Sequence, residues 1–123
     1  MLERKEQAVT FPEDETTELK CHCEELSQYE EASITYLLLK KLLLPVGCLP
    51  ATCDALLVPN GRDGYLSRLF FEQRIQPASP RVLNWNAQGI RVIERNWQAF
   101  SWQVTRANLR LPELLVAHLK GLT

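Results

Sequence analysis

The stretch LLLPVGCLPATCDALLVPNGRDGYLSRLFF, residues 42–71, contains the patterns that decide the fold. Residues 55–58 read Ala-Leu-Leu-Val, a short apolar run of the kind that forms a buried strand. The segment Pro-Asn-Gly-Arg-Asp-Gly at 59–64 is dense in turn-forming residues, and the next apolar run begins at Leu69. We therefore predict that residues 55–75 form one hairpin with a long loop.

Further strands are predicted on both sides of this hairpin. Residues 34–39 begin with Ile-Thr-Tyr, whose β-branched and aromatic side chains favour a strand. Residues 82–85 and 90–93 are short apolar segments on either side of a predicted turn at 86–89. Apolar and polar residues alternate over 100–104, which is typical of a half-buried strand.

Two helices are predicted, one before and one after these strands. The first is predicted over residues 13–32. There Leu19, Cys23 and Leu26 are spaced by four and three residues, as on one face of an amphipathic helix. The second begins near Pro112, a favourable first helical residue. Its apolar face consists of Leu111, Leu114, Leu115, His118, Leu119 and Leu122.

Antiparallel strands between two helices predict the α+β class, with the helices covering one face of the sheet. The length of 123 residues predicts a single domain over residues 1–123. In this domain, residues 1–32 are an acidic arm that carries the first helix. Residues 33–123 supply the sheet and the C-terminal helix.

Charge is distributed very unevenly along the chain, although 14 basic and 15 acidic residues nearly cancel. Residues 1–32 contain ten acidic and three basic residues, a net charge of −7, and the rest of the chain has a net charge of +6. Such asymmetry has two possible meanings. The acidic arm docks a basic partner, or it neutralises the basic face of its own domain.

Composition excludes several classes of protein. Hydrophobic residues make up 46% and charged residues 24%, which is ordinary for a folded globular domain. The longest apolar run, at 37–44, is interrupted by two lysines and is far shorter than the roughly 20 residues of a membrane span. No secretory signal is recognisable, so we expect a cytoplasmic protein with no membrane association. Reduced thiols are then expected at Cys21, Cys23, Cys48 and Cys53.

Metal and histidine chemistry have little support in the sequence. The triplet Cys21-His22-Cys23 resembles a metal ligand set, but on a helix its two cysteines point away from each other. No second ligand pair follows at zinc-finger spacing, so we expect no metal site and no cofactor. His118 lies on the apolar face of the last helix, where a packed histidine is the simpler interpretation. The chain also lacks a phosphate-binding loop and a nucleophile elbow.

Nucleic-acid binding is also disfavoured. The arginines and tryptophans that could suggest it are spread over several predicted strands rather than grouped in one run. We therefore expect no nucleic-acid partner. The residues concerned are Arg62, Arg68, Arg74, Arg81, Arg91, Arg95, Arg106 and Arg110, with Trp85, Trp97 and Trp102.

Two stretches resemble the ubiquitin-conjugating-enzyme fold, as found in bacterial ubiquitin-conjugating-like proteins of the family usually labelled E. In residues 42–71, an Asp before an apolar strand, a Gly-Tyr turn and a Phe-bearing strand are similar to the second and third strands of that fold. These are Asp54, Ala55–Val58, Gly64-Tyr65 and Phe70-Phe71. Residues 84–102, NWNAQGIRVIERNWQAFSW, resemble the active-site stretch of the family. Its marker residues here are Asn84, Asn86, Gly89-Ile90, Arg91 and Trp97.

The resemblance implies a ubiquitin-conjugating-like meander sheet with an N-terminal and a C-terminal helix, but one family feature is missing. In active members a thioester-forming cysteine follows the Gly-Ile segment, and here all four cysteines precede Pro59. A thiolate is the competent nucleophile, whereas a serine needs a dedicated base. The chain is therefore either a binding variant without catalysis or a transferase with a displaced nucleophile at Cys48, Cys53 or Ser101.

The resemblance also implies partners. A ubiquitin-like protein and an activating enzyme are expected, together with an isopeptidase and a role in bacterial antiphage defence. Because the first helix of such folds meets the activating enzyme, the acidic residues predicted on it are the candidate docking surface. They are Glu24, Glu25, Glu30 and Glu31. A third possibility is a structural or assembly subunit with only an accidental resemblance.

Overall fold

The computed structural model describes residues 9–123, which form two α-helices and a six-stranded antiparallel sheet. In chain order the elements are α1 (Glu13–Lys20), β1 (Glu25–Glu31), β2 (Ile34–Leu43), β3 (Thr52–Val58), β4 (Arg68–Phe71), β5 (Ala87–Val92), β6 (Arg95–Ala99) and α2 (Leu111–Leu119), followed by a short 3₁₀ turn (Lys120–Leu122). The strand order across the sheet is β1-β2-β3-β4-β6-β5. The predicted α+β class, with a helix before and a helix after the sheet, is confirmed.

The first four strands form a meander in which each strand pairs with the next one along the chain. The strand predicted at 34–39 lies within β2, and the predicted hairpin at 55–75 contains the antiparallel pair β3 and β4. Side chains alternate between the two faces along β2, so Leu37 and Leu39 face the helices while Tyr36 faces the other side.

The sheet buries side chains on both faces. On one face, α1 and α2 pack against alternate residues of β2, β3 and β4. This helix-side core includes Leu19, Leu37, Leu39, Ala55, Leu57, Phe71, Leu115 and Leu122. The second core, on the opposite face, consists of Tyr36, Leu56, Val58, Phe70, Val92, Trp97 and Ala99. Each large apolar side chain that is fully buried contributes about 1.5–3 kcal/mol to the stability of the fold relative to leaving it exposed. Both cores therefore stabilise the sheet.

The helix predicted over residues 13–32 is wrong beyond Lys20. There α1 ends, and residues 25–31 form the edge strand β1, which pairs with β2. Leu19 and Leu26 still pack on the same helix-side core. Leu19 lies on a helix and Leu26 on the strand that follows it, and both side chains pack on the same core. Their spacing in the sequence therefore resembles that of one face of a single helix. The backbone bonds to β2 outweigh the weak local preference of this polar segment.

Two tight turns were absent from the sequence prediction. At residues 32–33 and 93–94 both positions have positive φ, between 46° and 66°, as in type I′ hairpins, but neither turn contains the usual Asn or Gly. The predicted turn at 86–89 is wrong, since Gly89 lies inside β5 at an irregular register position with φ 63°. The predicted strand at 90–93 is the second half of β5, up to its last residue at 92.

The strands predicted at 82–85 and 100–104 are also wrong. Both segments are irregular chain. Phe100 and Val104 are nevertheless buried in the helix-side core, which accounts for the alternation of apolar and polar residues without any strand pairing.

The last predicted helix is confirmed as α2. The backbone N–H of Arg110 donates to the side chain of Glu113 (2.8 Å), which closes the first turn. Leu111, Leu114 and Leu115 are buried against the sheet, as the apolar face predicted. Within the described part of the chain, neither helix has the length and apolar character needed to cross a membrane.

Candidate functional site

The segment that resembles an active-site stretch joins the chain before β5 to the chain after β6. Asn84 and Asn86 lie in the irregular chain that leads into β5, and both are exposed. The carbonyl oxygen of Asn84 accepts hydrogen bonds from the N–H groups of Asn86 (2.9 Å) and Ser101 (2.7 Å). Two predicted markers and one predicted nucleophile are therefore neighbours in space.

A polar cluster, which we call the Arg68 cluster, is formed by Tyr65, Arg68 and Asn86. The Nδ2 of Asn86 donates to the Tyr65 hydroxyl (2.8 Å), and its Oδ1 accepts from the Arg68 guanidinium. The guanidinium lies over the Tyr65 ring, 3.8 Å from its centre. The hydrogen bond from Asn86 lowers the pKa of the Tyr65 phenol.

Arg68 is unusual because its charge is buried without a carboxylate partner among residues 9–123. The residue is 4% exposed, and its Nε has no hydrogen-bond partner in the described chain. Burial lowers the pKa of Arg68, and stacking on Tyr65 offsets only part of the desolvation cost. A buried cation with no counter-ion costs free energy, so stability alone does not account for arginine at this position.

Replacing Arg68 by methionine should therefore raise the free energy of unfolding by about 1–2 kcal/mol, since the apolar chain keeps its packing and the charge is removed. Urea denaturation followed by circular dichroism measures this change. The matched control is Arg62→Met, which removes a guanidinium that is bonded to Asp63 (2.7 Å) and Tyr36 (2.9 Å) and should not stabilise the fold. A loss of stability in the Arg68 variant would contradict the cost assigned to its charge.

The two cysteines considered as displaced nucleophiles are closed to solvent. Cys48 is buried, with its thiol donating to the carbonyl oxygen of Leu122 (3.6 Å). Burial raises the pKa of Cys48, and raises that of Cys53 to about 11. Because the thiolate is the nucleophile, both thiols are unreactive at neutral pH. All four cysteines of the chain are free, in line with the expected reduced thiols.

A buried hydroxyl–imidazole pair was not predicted from the sequence. Ser67 Oγ and His118 Nε2 lie 2.8 Å apart and join the start of β4 to α2. Burial, and secondarily the charge of Arg68, lowers the pKa of His118 to about 4, so the imidazole is neutral at pH 7. Nearby Arg68 also disfavours the imidazolium that a general base must form. The pair is therefore a structural bond, and His118 is the packed histidine that was predicted.

The other two markers of the active-site-like segment have different surroundings. Arg91 is exposed on β5. Trp97 is fully buried on β6, and its Nε1 donates to the carbonyl oxygen of Val92 (3.1 Å). Trp97 is thus a core residue, whereas Arg91 is open to a partner.

The four glutamates proposed for docking lie on β1 and in the turn before it, which corrects their placement on a helix: Glu24, Glu25, Glu30 and Glu31. Glu30 accepts a hydrogen bond from the Thr35 hydroxyl (2.7 Å). Glu31 accepts one from the N–H of Ile93 (3.0 Å). The side chains of Glu24 and Glu25 have no hydrogen-bond or ion-pair partner among residues 9–123, so these two are the ones available for docking.

Three of the four acidic residues of α1 have partners inside the domain. Asp14 (3.0 Å) and Glu18 both pair with Arg110, and Glu15 accepts the backbone N–H of Leu111 (2.9 Å). The hydrogen bond from Arg110 lowers the pKa of Glu18. Carboxylates at this place also meet the positive end of the α2 dipole. This part of the arm therefore neutralises its own domain, as the second interpretation of the charge split proposed.

The metal and nucleic-acid expectations stay predictions. Residues 21–23, Cys-His-Cys, lie in the turn after α1, and residues 9–123 contain no group of three potential ligands placed to hold a metal ion. Several arginines have contacts within the domain, for example Arg95 with Asp54 (2.9 Å) and with the Trp97 ring, 4.6 Å from its centre.

Comparisons with protein-family models, with curated proteins and with solved structures each found no significant match to this chain.

Proposed function

We propose that this protein is a ubiquitin-conjugating-like domain that binds a partner in a bacterial ubiquitin-like conjugation pathway and forms no thioester itself. The observation that carries the proposal is the combination of a helix and four-strand meander with an active-site-like segment that contains no cysteine. The cytoplasm is the compartment in which such a pathway operates, and antiphage defence is the role that the resemblance suggests.

The order of elements supports the finer fold assignment. The resemblance calls for a helix, a meander packed against it, an active-site stretch and a last helix, and α1, β1–β4, residues 84–102 and α2 follow one another in this order. The motif residues lie in consecutive elements, with Ala55–Val58 in β3, Tyr65 in the following loop and Phe70-Phe71 in β4. These are the third and fourth strands of this chain, whereas the resemblance likens them to the second and third.

The state of the candidate nucleophiles supports binding over catalysis. Cys48 and Cys53 are buried thiols with raised pKa. Ser101 is exposed, and a hydrogen bond from its side chain contributes to the lowered pKa of the Tyr65 phenol, but no histidine of the described residues hydrogen-bonds to its hydroxyl. A serine without an imidazole base is a weak nucleophile. A transferase would need a rearrangement of this site, and a binding protein needs none.

The exposed carboxylates of Glu24 and Glu25 are the proposed contact for the activating enzyme. They lie between α1 and the edge strand β1, in the part of the chain that carries the excess of acidic residues. A basic groove on the partner would attract them, and exposed charges of this kind accelerate association at low salt.

The first experiment incubates the chain with a bacterial ubiquitin-like protein, its activating enzyme and ATP, and separates the products on gels with and without reductant or hydroxylamine. We expect no covalent adduct, together with a complex detectable by isothermal titration calorimetry. A reductant-sensitive adduct would identify a thioester and an adduct lost only to hydroxylamine an oxyester, and either would establish the transferase alternative. Absence of both adduct and complex would contradict the pathway assignment.

The second experiment reverses charge on the docking surface. The double variant Glu24→Lys/Glu25→Lys should weaken binding to the activating enzyme at least tenfold in 50 mM salt and less in 500 mM salt, since screening already weakens the contact there. Glu13→Lys/Glu94→Lys is the matched control, because it makes the same charge change at two exposed glutamates outside β1 and should retain affinity. Equal affinity of the two double variants would remove the docking role.

A further inference from the structure

A groove with mainly apolar walls lies between the β2–β3 connection and α2. Its volume is about 370 Å³, within the usual range of about 300–1,000 Å³ for ligand pockets. The residues that line it are Leu43, Leu44, Pro45, Val46, Val116, Leu119, Lys120 and Thr123.

Three large apolar side chains of this groove are exposed without an evident benefit to folding. Leu43 is 60% exposed, although Leu42 and Leu44 on either side of it are buried in the core. Val46 is 98% exposed in the connection after Pro45, and Val116 is 46% exposed on the outer side of α2. Apolar residues grouped around a concavity mark binding surfaces, whereas single exposed ones are ordinary.

Three cations lie in the groove or in depressions that adjoin it. Lys120 lines the groove itself. A neighbouring depression shares Leu43 with it and contains Lys41, and another shares Val116 and contains Arg106. Within the described chain none of these three cations belongs to an ion pair.

Carboxylates also line the two neighbouring depressions. Glu18 pairs with Arg110, whereas Glu113 accepts the backbone N–H of Arg110 (2.8 Å) and belongs to no ion pair among the described residues. Glu24 lines the depression that contains Lys41 and belongs to the acidic surface described above. Among the described residues that line the groove itself, Lys120 is the one charged side chain, so the charge of the groove is positive.

We propose that this groove docks an acidic segment of a partner protein whose large apolar side chains enter the groove while its carboxylates meet Lys41, Arg106 and Lys120. The apolar walls provide the affinity, and the cations select the sign of charge on the segment. This inference does not depend on the conjugation pathway, because it uses only the shape and charge of the groove.

The probe is a phage-displayed library of random 16-residue peptides, selected against the immobilised chain at 50 mM salt. Enriched peptides should combine Asp or Glu with Leu, Ile, Phe or Met. Synthetic copies should bind in fluorescence anisotropy, and their affinity should fall at least fivefold when the salt is raised to 500 mM. Failure to enrich any peptide, or enrichment of basic ones, would overturn the proposal.

Two matched pairs of variants locate the binding. Val46→Glu should weaken binding of the selected peptides at least tenfold. Val82→Glu should not change their affinity, because Val82 is an equally exposed valine (96%) outside the groove. Lys120→Glu should weaken peptide binding about threefold to tenfold, whereas Arg74→Glu, at an exposed arginine outside the groove, should leave the affinity unchanged. If the two variants of either pair changed peptide affinity equally, the peptides would bind outside the groove, and the proposed docking site would be wrong.

Self-association is the competing occupant, and sedimentation velocity tests it. A dimer of the wild-type chain that Val46→Glu dissociates and Val82→Glu preserves would assign the groove to a second copy, and the acidic partner would be withdrawn. A monomer at concentrations where the selected peptides bind agrees with the proposal.

Discussion

Replacing Trp97 by alanine should lower the free energy of unfolding by about 3–5 kcal/mol, the largest effect that we expect from a single substitution. Trp97 is fully buried in the second core, between β6 and the residues of β2 and β3 that face away from the helices. Removal of the indole deletes its packing, leaves a cavity and strips the carbonyl oxygen of Val92 of its partner. Urea denaturation followed by far-UV circular dichroism measures the change.

Trp97→Phe separates packing from hydrogen bonding. It retains most of the apolar volume and should cost only about 1–2 kcal/mol. Because Trp97 belongs to the active-site-like segment, any loss of partner binding in the alanine variant should follow the loss of folded protein. A well-folded Trp97→Ala variant that had lost only binding would show that this side chain acts at the interface, contrary to its burial.

The second large effect is a pH dependence of stability that originates at His118. Burial and the charge of Arg68 lower the pKa of His118 to about 4 in the folded chain, against an ordinary value of 6.5. Between these pH values the unfolded chain binds a proton that the folded chain does not. Stability from this residue is therefore present above pH 6.5 and is lost as the pH falls towards 4, by about 3 kcal/mol in total at about 1.4 kcal/mol per unit.

The measurement compares unfolding free energies of the wild type and His118→Gln at pH 7.5 and pH 4.5. The difference between the two proteins should shift by about 2–3 kcal/mol in favour of the variant at the lower pH, since glutamine binds no proton there. Carboxylates common to both proteins cancel in this difference. Ser67→Ala serves as the control, because it removes the hydroxyl partner but leaves the imidazole buried beside Arg68 and should keep the wild-type slope. Equal slopes for wild type and His118→Gln would show that His118 is accessible to protons when folded.

The predictions that succeeded rest on local signals. The 3.6-residue spacing of leucines identified α2, and the dense turn chemistry of 59–64 identified the hairpin of β3 and β4. In each case the residues that determine the structure are close together in the chain.

Two physical causes account for the errors in the sequence predictions. β1 is a polar segment that forms a strand because its backbone hydrogen-bonds to the edge of β2. The residues of β1 have no local strand propensity from which this could be predicted. Phe100 and Val104 alternate like strand residues but are buried by packing rather than by pairing. The pairing of β1 with β2 also explains why the glutamates proposed for docking lie on and just before an edge strand and not on the predicted helix.

By itself, the sequence determined the α+β class, the central hairpin, the last helix, the division of charge and the absence of a cysteine after Pro59. Periodicity, turn chemistry and composition are properties of neighbouring residues, so a sequence displays them directly. Only the tertiary structure decided that Asp14 and Glu18 of α1 pair with Arg110, that Arg68 is buried without a counter-ion among the described residues and that Ser67 contacts His118. Such facts depend on partners far apart in the chain, 51 residues in the last case, and burial then determines which charges stay available for function.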